Sequence, residues 1–256
     1  MAEILLEAKG VSKRFGGVLA VNNVSVQVEK GSIYAVIGPN GAGKTTFFNT
    51  LSGYYLPDGG QVIYQGREIT DLPNWQRIQL GMSRTFQTPS IFPELSVYDN
   101  LLIGVQSQKK IAFRLRLPSA ARKREIDERI EELLGFVNLV HLKDRPVAEL
   151  SHGSQRLCEI AMSLSVDPTI VLLDEPMAGL AEAETERIMR VIRDLHVRLG
   201  LTVLFVEHNM RVVLSLAHRI SVLDRGSLLA EGTPNEISNN QTVREAYLGQ
   251  EVVSRV

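Results

Sequence analysis

Valines at Val24, Val26 and Val28 alternate with polar residues, the period of two expected of a strand with one buried face. Ile33–Ile37 is an unbroken apolar run that ends at Gly38, which predicts a buried strand entering a loop. Asp58-Gly59-Gly60 is a turn signal, and Val62-Ile63-Tyr64 behind it suits a strand. The first 70 or so residues therefore read as strand-rich around one helix, from Lys44 to about Ser52. The pattern then changes. Residues 97–105 and Ala120–Phe136 read as helices, the second with Ile126, Ile130, Leu133 and Val137 on one face. A further helix follows Ser151, with Leu157, Ile160, Ala161 and Leu164 in register. Beyond it strand and helix alternate: strand 169–173, helix Glu182–Leu199, strand 202–207 and helix 210–217. That order implies a parallel sheet covered by helices.

Composition narrows the function classes. With 256 residues the chain can bury a substantial core, and 44% hydrophobic with 22% charged residues is ordinary for a folded soluble protein. A formal charge of −1 and a pI near 6.5 argue against a dedicated nucleic-acid binder. The single cysteine, Cys158, rules out an internal disulfide framework and suits a reducing compartment. No apolar run approaches the roughly 18 residues of a membrane span. The N-terminal Ile4-Leu5-Leu6 core has acidic flanks and does not read as a signal peptide. A cytosolic chain is expected, with any membrane association made through a partner or a surface.

Gly38-Pro39-Asn40-Gly41-Ala42-Gly43-Lys44-Thr45 matches the phosphate-loop pattern G-x-x-x-x-G-K-[ST], between a predicted strand and a predicted helix. Glycines let the backbone wrap closely, so that several N–H groups converge on one phosphate, and the helix adds about half a positive charge at its N-terminus. Lys44 is expected to reach the β- and γ-phosphates of ATP and Thr45 to offer its hydroxyl to Mg²⁺, with Thr46 completing the nucleotide-contacting turn. Chance alone gives such a match in about one chain in a hundred of this length, before the strand–loop–helix context is counted.

Ile170-Val171-Leu172-Leu173-Asp174-Glu175 is a buried strand ending in two acids. Ligands of open α/β sheets gather at the carboxyl ends of the strands. Asp174 is accordingly expected to hold Mg²⁺, directly or through water, and Glu175 to polarise the attacking water as a general base. Paired acids also occur in plain surface turns, and it is the phosphate loop that favours the chemical reading. Ser151 or Ser154, in Leu150-Ser151-His152-Gly153-Ser154-Gln155-Arg156, suits an ordinary helix cap, although a capped helix N-terminus is also an anion site.

In this order, the phosphate loop, the Ser151-His152-Gly153 turn and the Asp174-Glu175 strand end resemble ABC ATPases, and residues 150–154 resemble their LSGGQ signature. The resemblance spans essentially the whole chain. It implies an α/β fold, a P-loop NTPase core of ABC ATPase type with an antiparallel β subdomain and an inserted helical subdomain. The core would occupy residues 1–87 and 166–256, and the helical subdomain with the signature residues 88–165. It also implies a head-to-tail dimer in which Ser151 and Gly153 of one subunit contact the γ-phosphate held by the other. By the same resemblance Phe15 stacks on adenine, Gln87 in Arg84-Thr85-Phe86-Gln87 senses Mg²⁺ and the membrane subunit, and His208 touches the γ-phosphate. Phe15 also fits a core aromatic of a hairpin. His141, His196 and His218 read as structural or surface residues. Two departures stand out. The signature glutamine is Ser154 and its first glycine His152, and Ala181 stands where the family often has an aspartate; this leaves open whether both ATP sites of a dimer are equally active, or whether the chain is largely regulatory.

Within the family, residues 84–92, 157–162, 207–210, 231–234 and 246–249 are most similar to the ATPase subunits of branched-chain amino-acid importers. Cassettes for urea or amide uptake and for lipopolysaccharide export share several of these stretches. The implied partners are two multispanning permease subunits, a second ATPase subunit (the same or a different chain) and, indirectly, an external substrate-binding protein, at the cytoplasmic face of the inner cell membrane. No nucleic acid is expected. A soluble ABC protein of translation or DNA repair usually has two cassettes or a long coiled-coil insertion, and neither is seen here. Seven basic residues, from Lys109 to Arg124, occur with no acid after Leu101. They fit either a face near anionic lipid or a solvated face balanced by Glu125, Asp127 and Glu128.

Overall fold

A computed structural model describes residues 3–85, 91–108 and 120–253. Strands β1 (Ile4–Phe15) and β2 (Val18–Glu29) form a long hairpin, followed by β3 (Ile33–Ile37) and helix α1 (Lys44–Leu51). Next come β4 (Gly59–Tyr64), β5 (Arg67–Glu68), α2 (Asn74–Gln79) and β6 (Met82–Arg84). Three helices follow: α3 (Val97–Gln108), α4 (Ala120–Phe136) and α5 (His152–Leu164). Then β7 (Ile170–Asp174), α6 (Glu182–Leu199), β8 (Thr202–Val206) and α7 (Met210–Leu216) alternate. The chain continues through β9 (Arg219–Asp224), β10 (Ser227–Gly232), α8 (Pro234–Asn239) and α9 (Gln241–Val253).

Two sheets result. One is antiparallel, in the order β2-β1-β4-β5; the other runs β10-β9-β3-β8-β7-β6, parallel except for β10 at its edge. The apolar run at β3 has a simple cause. Ile33, Ala35 and Ile37 face one core with the helices, whereas Tyr34 and Val36 face a second core with the antiparallel sheet and α1. A parallel strand covered on both faces has no polar side to show. β7 follows the same rule, with Val171 and Leu173 in the first core and Ile170 and Leu172 in the second. Phe47, Phe48 and Leu51 of α1 share the second core with residues from both sheets, which fixes the helix behind the phosphate loop.

Most sequence expectations hold at element level. β3, α4 and α6 have the predicted bounds, and Ile126, Ile130, Leu133 and Val137 are all buried. Asp58-Gly59-Gly60 differs: β4 already begins at Gly59, because Gly59 pairs with Ser12 across an irregular register of β1. Gln87 lies outside the described residues, as does the basic stretch from Lys109 to Lys110, Arg114 and Arg116. Of that stretch's described part, Arg124 pairs with Glu128 one helical turn on, in line with a solvated face. Among the described residues no helix is long and apolar enough to cross a membrane.

Candidate nucleotide site

β3, β8 and β7 lie side by side in register, Val36 opposite Val206 and Val206 opposite Asp174. Three chain exits therefore meet at the carboxyl end of the sheet: the loop 38–43 from β3, Asp174 and Glu175 from β7, and Glu207 and His208 from β8. An open cleft of about 510 Å³ lies there, lined by residues 40–46 of the loop and by Glu175. Its other wall is Val18, Leu19 and Ala20 from the start of β2, with Arg225 and Gly226 from the β9–β10 turn. That turn is strapped in place, since the Gly226 N–H donates to the Ala42 carbonyl and the Asn22 N–H to the Gly226 carbonyl. Gly43 caps α1 at φ 92°, and a Cβ there would stand 2.3 Å from the Ala20 carbonyl oxygen, so only glycine closes this corner.

Lys44 is buried, with its Nζ donating to the Gly38 and Pro39 carbonyls at 2.7 and 2.9 Å. Burial lowers its pKa, opposed by the charges of Glu175 and Asp174. Thr45 and Thr46 border the cleft, as does Glu175, which is held in the left-handed region at φ 47°. Its backbone is gripped from behind: Arg156 on α5 donates to the carbonyls of Asp174 and Glu175 at 2.8 and 2.7 Å and to that of Pro176 at 3.2 Å. The Arg156 contacts offset the cost of holding a non-glycine residue in that region.

Asp174 sits beneath the cleft with its side chain 1% exposed. Its Oδ2 accepts from Arg84 Nη2 at 2.9 Å, while the buried Oδ1 has no hydrogen-bond partner among the described residues. Burial raises the carboxyl pKa and Arg84 pulls it down. An unmatched buried carboxylate oxygen close to the Thr45 helix is what a hard, oxygen-preferring cation such as Mg²⁺ requires, so the residues present fit that ion.

The remaining sequence candidates lie outside the cleft lining. His208 is exposed, and its N–H donates to the buried Glu207 carboxylate at 3.2 Å, as does the Met177 N–H at 3.0 Å. Phe15 stands at the tip of the β1–β2 hairpin opposite Val18, 44% exposed, and packs edge-on against Tyr55 at 5.2 Å. It is thus an available aromatic face beside the cleft, not a core residue. Ser151 caps α5, its Oγ accepting from the Ser154 N–H at 3.3 Å. The Gly153 N–H donates to Glu184 Oε1 on the first turn of α6 at 3.1 Å. The Ser151 hydroxyl and that N–H hold the Glu184 carboxyl below its ordinary range. Gln155 turns away and donates to the carbonyls of Val147 and Leu150.

The ABC transporter family profile matches residues 21–178, and that of the branched-chain amino acid ATP-binding cassette transporters matches residues 227–253. The chain belongs to the ABC transporter ATPases. It is 41% identical over 254 residues to the high-affinity branched-chain amino acid transport ATP-binding protein LivG of Salmonella typhimurium, covering 98% of this chain and all of that one. BraF of Pseudomonas aeruginosa, of the same description, is similar to the same extent. The lipopolysaccharide export ATP-binding protein LptB of Acidithiobacillus ferridurans is 38% identical over 247 residues, 96% of this chain and 98% of its own. Among solved structures, the ADP conformation of the ATP-binding cassette MJ1267 superposes with a TM-score of 0.85 at 31% identity, over 96% of this chain and 99% of that one. The dimeric cassette MJ0796 gives 0.76 at 25% identity, over 90% and 99%.

Reading the cassette from its sequence misses Arg84, Arg156, Glu184 and Glu207 as parts of the site. The first three look like surface charges in a linear sequence. Glu207 does carry a signal, being an acid that directly continues the apolar strand Thr202–Val206. The cleft walls at Val18, Leu19, Ala20, Arg225 and Gly226 also go unread, since they come from residues far apart in the chain.

Proposed function

We propose that this cassette is the ATP-hydrolysing motor of an importer for branched-chain or related amino acids, working through two multispanning permease subunits at the cytoplasmic face of the cell membrane. The observation that carries the ATPase half is the meeting of Lys44, Thr45, Asp174 and Glu175 at the carboxyl end of the sheet. The transport half is supported by the LivG and BraF relatives and by the C-terminal match to the branched-chain group. That match favours it over lipopolysaccharide export, the reading that the LptB likeness supports.

In this account the loop N–H groups of residues 38–46 and the N-terminus of α1 bind the phosphates, while Lys44 leaves the Gly38 and Pro39 carbonyls for the β- and γ-oxygens. Phe15 stacks on the adenine. Thr45 and Asp174, with Gln87, would hold Mg²⁺, which would neutralise the charge that develops on the phosphates. Glu175 orients the attacking water and takes its proton, and His208 contacts the γ-phosphate from the neighbouring strand exit. Ser151 and Gly153 belong to the other half of the reaction: each chain offers them to the nucleotide of a head-to-tail partner, itself a second ATPase subunit. Substrate choice lies with the permeases and an external binding protein.

Affinity isolation of the tagged chain from gently solubilised membranes tests this. Recovery of multispanning permeases and an amino-acid-type binding protein is expected, together with loss of leucine uptake on deletion of the gene. Recovery of lipopolysaccharide-transport components, or of ribosomes or repair factors without membrane subunits, would overturn the importer reading and leave the ATPase intact.

A further inference from the structure

The buried guanidinium of Arg84 is bound on three sides. Its Nη2 donates to Asp174 Oδ2 at 2.9 Å, its Nη1 donates to Ser52 Oγ at 2.6 Å, and the group lies 5.0 Å over the Phe48 ring. Ser52 caps the C-terminus of α1 and Phe48 is on it, so two of the three anchors belong to the helix that begins at Lys44 and Thr45. The third belongs to the strand that ends at Asp174. Arg84 itself closes β6, pairing with Leu172 of β7, and the Thr85 N–H donates to the Leu172 carbonyl at 2.9 Å. Only 8% of the Arg84 side chain and 1% of that of Asp174 are exposed.

A carboxylate can turn about its terminal torsion, where the energy wells are broad and twofold. A planar fork held at fixed points removes that freedom. With Oδ2 occupied, Oδ1 is the oxygen left over, and it is the buried one without a partner among the described residues.

We propose that Arg84 is a positioning residue for the metal site: it holds Asp174 so that Oδ1 faces Mg²⁺, and it sets the spacing between Asp174 and the helix carrying Thr45. The proposal rests on the reading of Asp174 as a metal-facing carboxylate. Outer partners of metal-ligating carboxylates generally act in this way, and losing one costs about 10- to 100-fold in metal affinity. A lysine would not replace the arginine, because one ammonium lacks the rigid fork that spans Asp174 and Ser52.

The test compares nucleotide affinity with and without metal in the purified full chain. Calorimetry gives ATP affinity in Mg²⁺ and in EDTA, and electron paramagnetic resonance gives Mn²⁺ affinity in the presence of ATP. The variants are Arg84→Met, Arg84→Lys, Ser52→Ala and Asp174→Asn. Arg84→Met is expected to weaken Mn²⁺ binding by about 10- to 100-fold and to shrink the gain in ATP affinity that metal gives, with the affinity in EDTA unchanged. Arg84→Lys should recover only part of the loss. Ser52→Ala, which frees one arm of the fork and leaves the charge in place, should lie between Arg84→Lys and the parent chain. It carries the test if Arg84→Met does not fold. Equal loss of affinity in Mg²⁺ and in EDTA would mean that Arg84 merely supports the fold, and an undiminished Mn²⁺ affinity in both Arg84→Met and Ser52→Ala would overturn the proposal. Asp174→Asn separates the two layers. If it too keeps full Mn²⁺ affinity, the metal reading of Asp174 fails; if it loses the affinity while the Arg84 variants keep it, only the positioning role fails.

Discussion

The phosphate loop and the turn that opens α5 both present backbone N–H groups at the start of a helix, yet they are built for different situations. The loop is locked into the fold. Gly43 fits against Ala20, Lys44 is buried on its own loop carbonyls, and the cleft walls are tied together by Gly226. The α5 turn has Ser151 and His152 exposed, and its Gly153 N–H is already taken by Glu184 of the same chain. A Cβ at Gly153 would come within 2.7 Å of that carboxylate. The first region is built within one chain; the second has its Gly153 N–H held by an internal carboxylate, which the proposed partner nucleotide would replace. On the function proposed above, one cassette would be a full binding site and only half of a catalytic one.

Glu175→Gln gives the largest expected effect. Hydrolysis should fall by about 10²–10⁴-fold while ATP binding survives, measured as phosphate release against equilibrium binding. Unchanged turnover would remove Glu175 from the role of base. Lys44→Met should weaken ATP binding about 10- to 100-fold, the value of one hydrogen bond to a charged group. Gly153→Asp should leave binding to the isolated chain unchanged and abolish hydrolysis, and a loss of binding there would break the contrast between the two regions. Ser151→Ala removes the α5 cap and should cost about 1 kcal/mol, seen as a fall in Tm of about 2–4 °C. The smallest signal is at Cys158 on α5, whose thiol is pushed up to about 12 by burial. It should resist alkylation at neutral pH in the parent chain and in Gly153→Asp, which would confine the damage in that variant to the turn.

The same contrast explains which parts of the fold are legible in the amino-acid sequence. The phosphate loop is contiguous, and its strand and helix have strong periodicity, so the strand, loop and helix over residues 33–51 are legible as elements. Asp174 and Glu175 were legible because they end an apolar strand. β1 was not: its 12 residues break their alternation at Gly10 and cross several register irregularities against β2. Elements after residue 217, including the β9–β10 turn that walls the cleft, give short and mixed patterns. The α5 turn was readable only through its likeness to the family signature, since its physics alone says helix cap. Arg84 and Glu184 act across the fold, on Asp174 and on Gly153, and no local pattern announces such contacts.

The most direct test of this account is to mix two variants, each damaged in a different half of the site, at an ATP concentration that leaves Lys44→Met unloaded. Lys44→Met retains the α5 turn and Gly153→Asp retains the phosphate loop, so a head-to-tail mixed dimer holds one intact site. The account predicts that the equimolar mixture recovers about a quarter of the parent hydrolysis rate, since half the dimers are mixed and each has one good site of two. A mixture no more active than the average of its two components would contradict it.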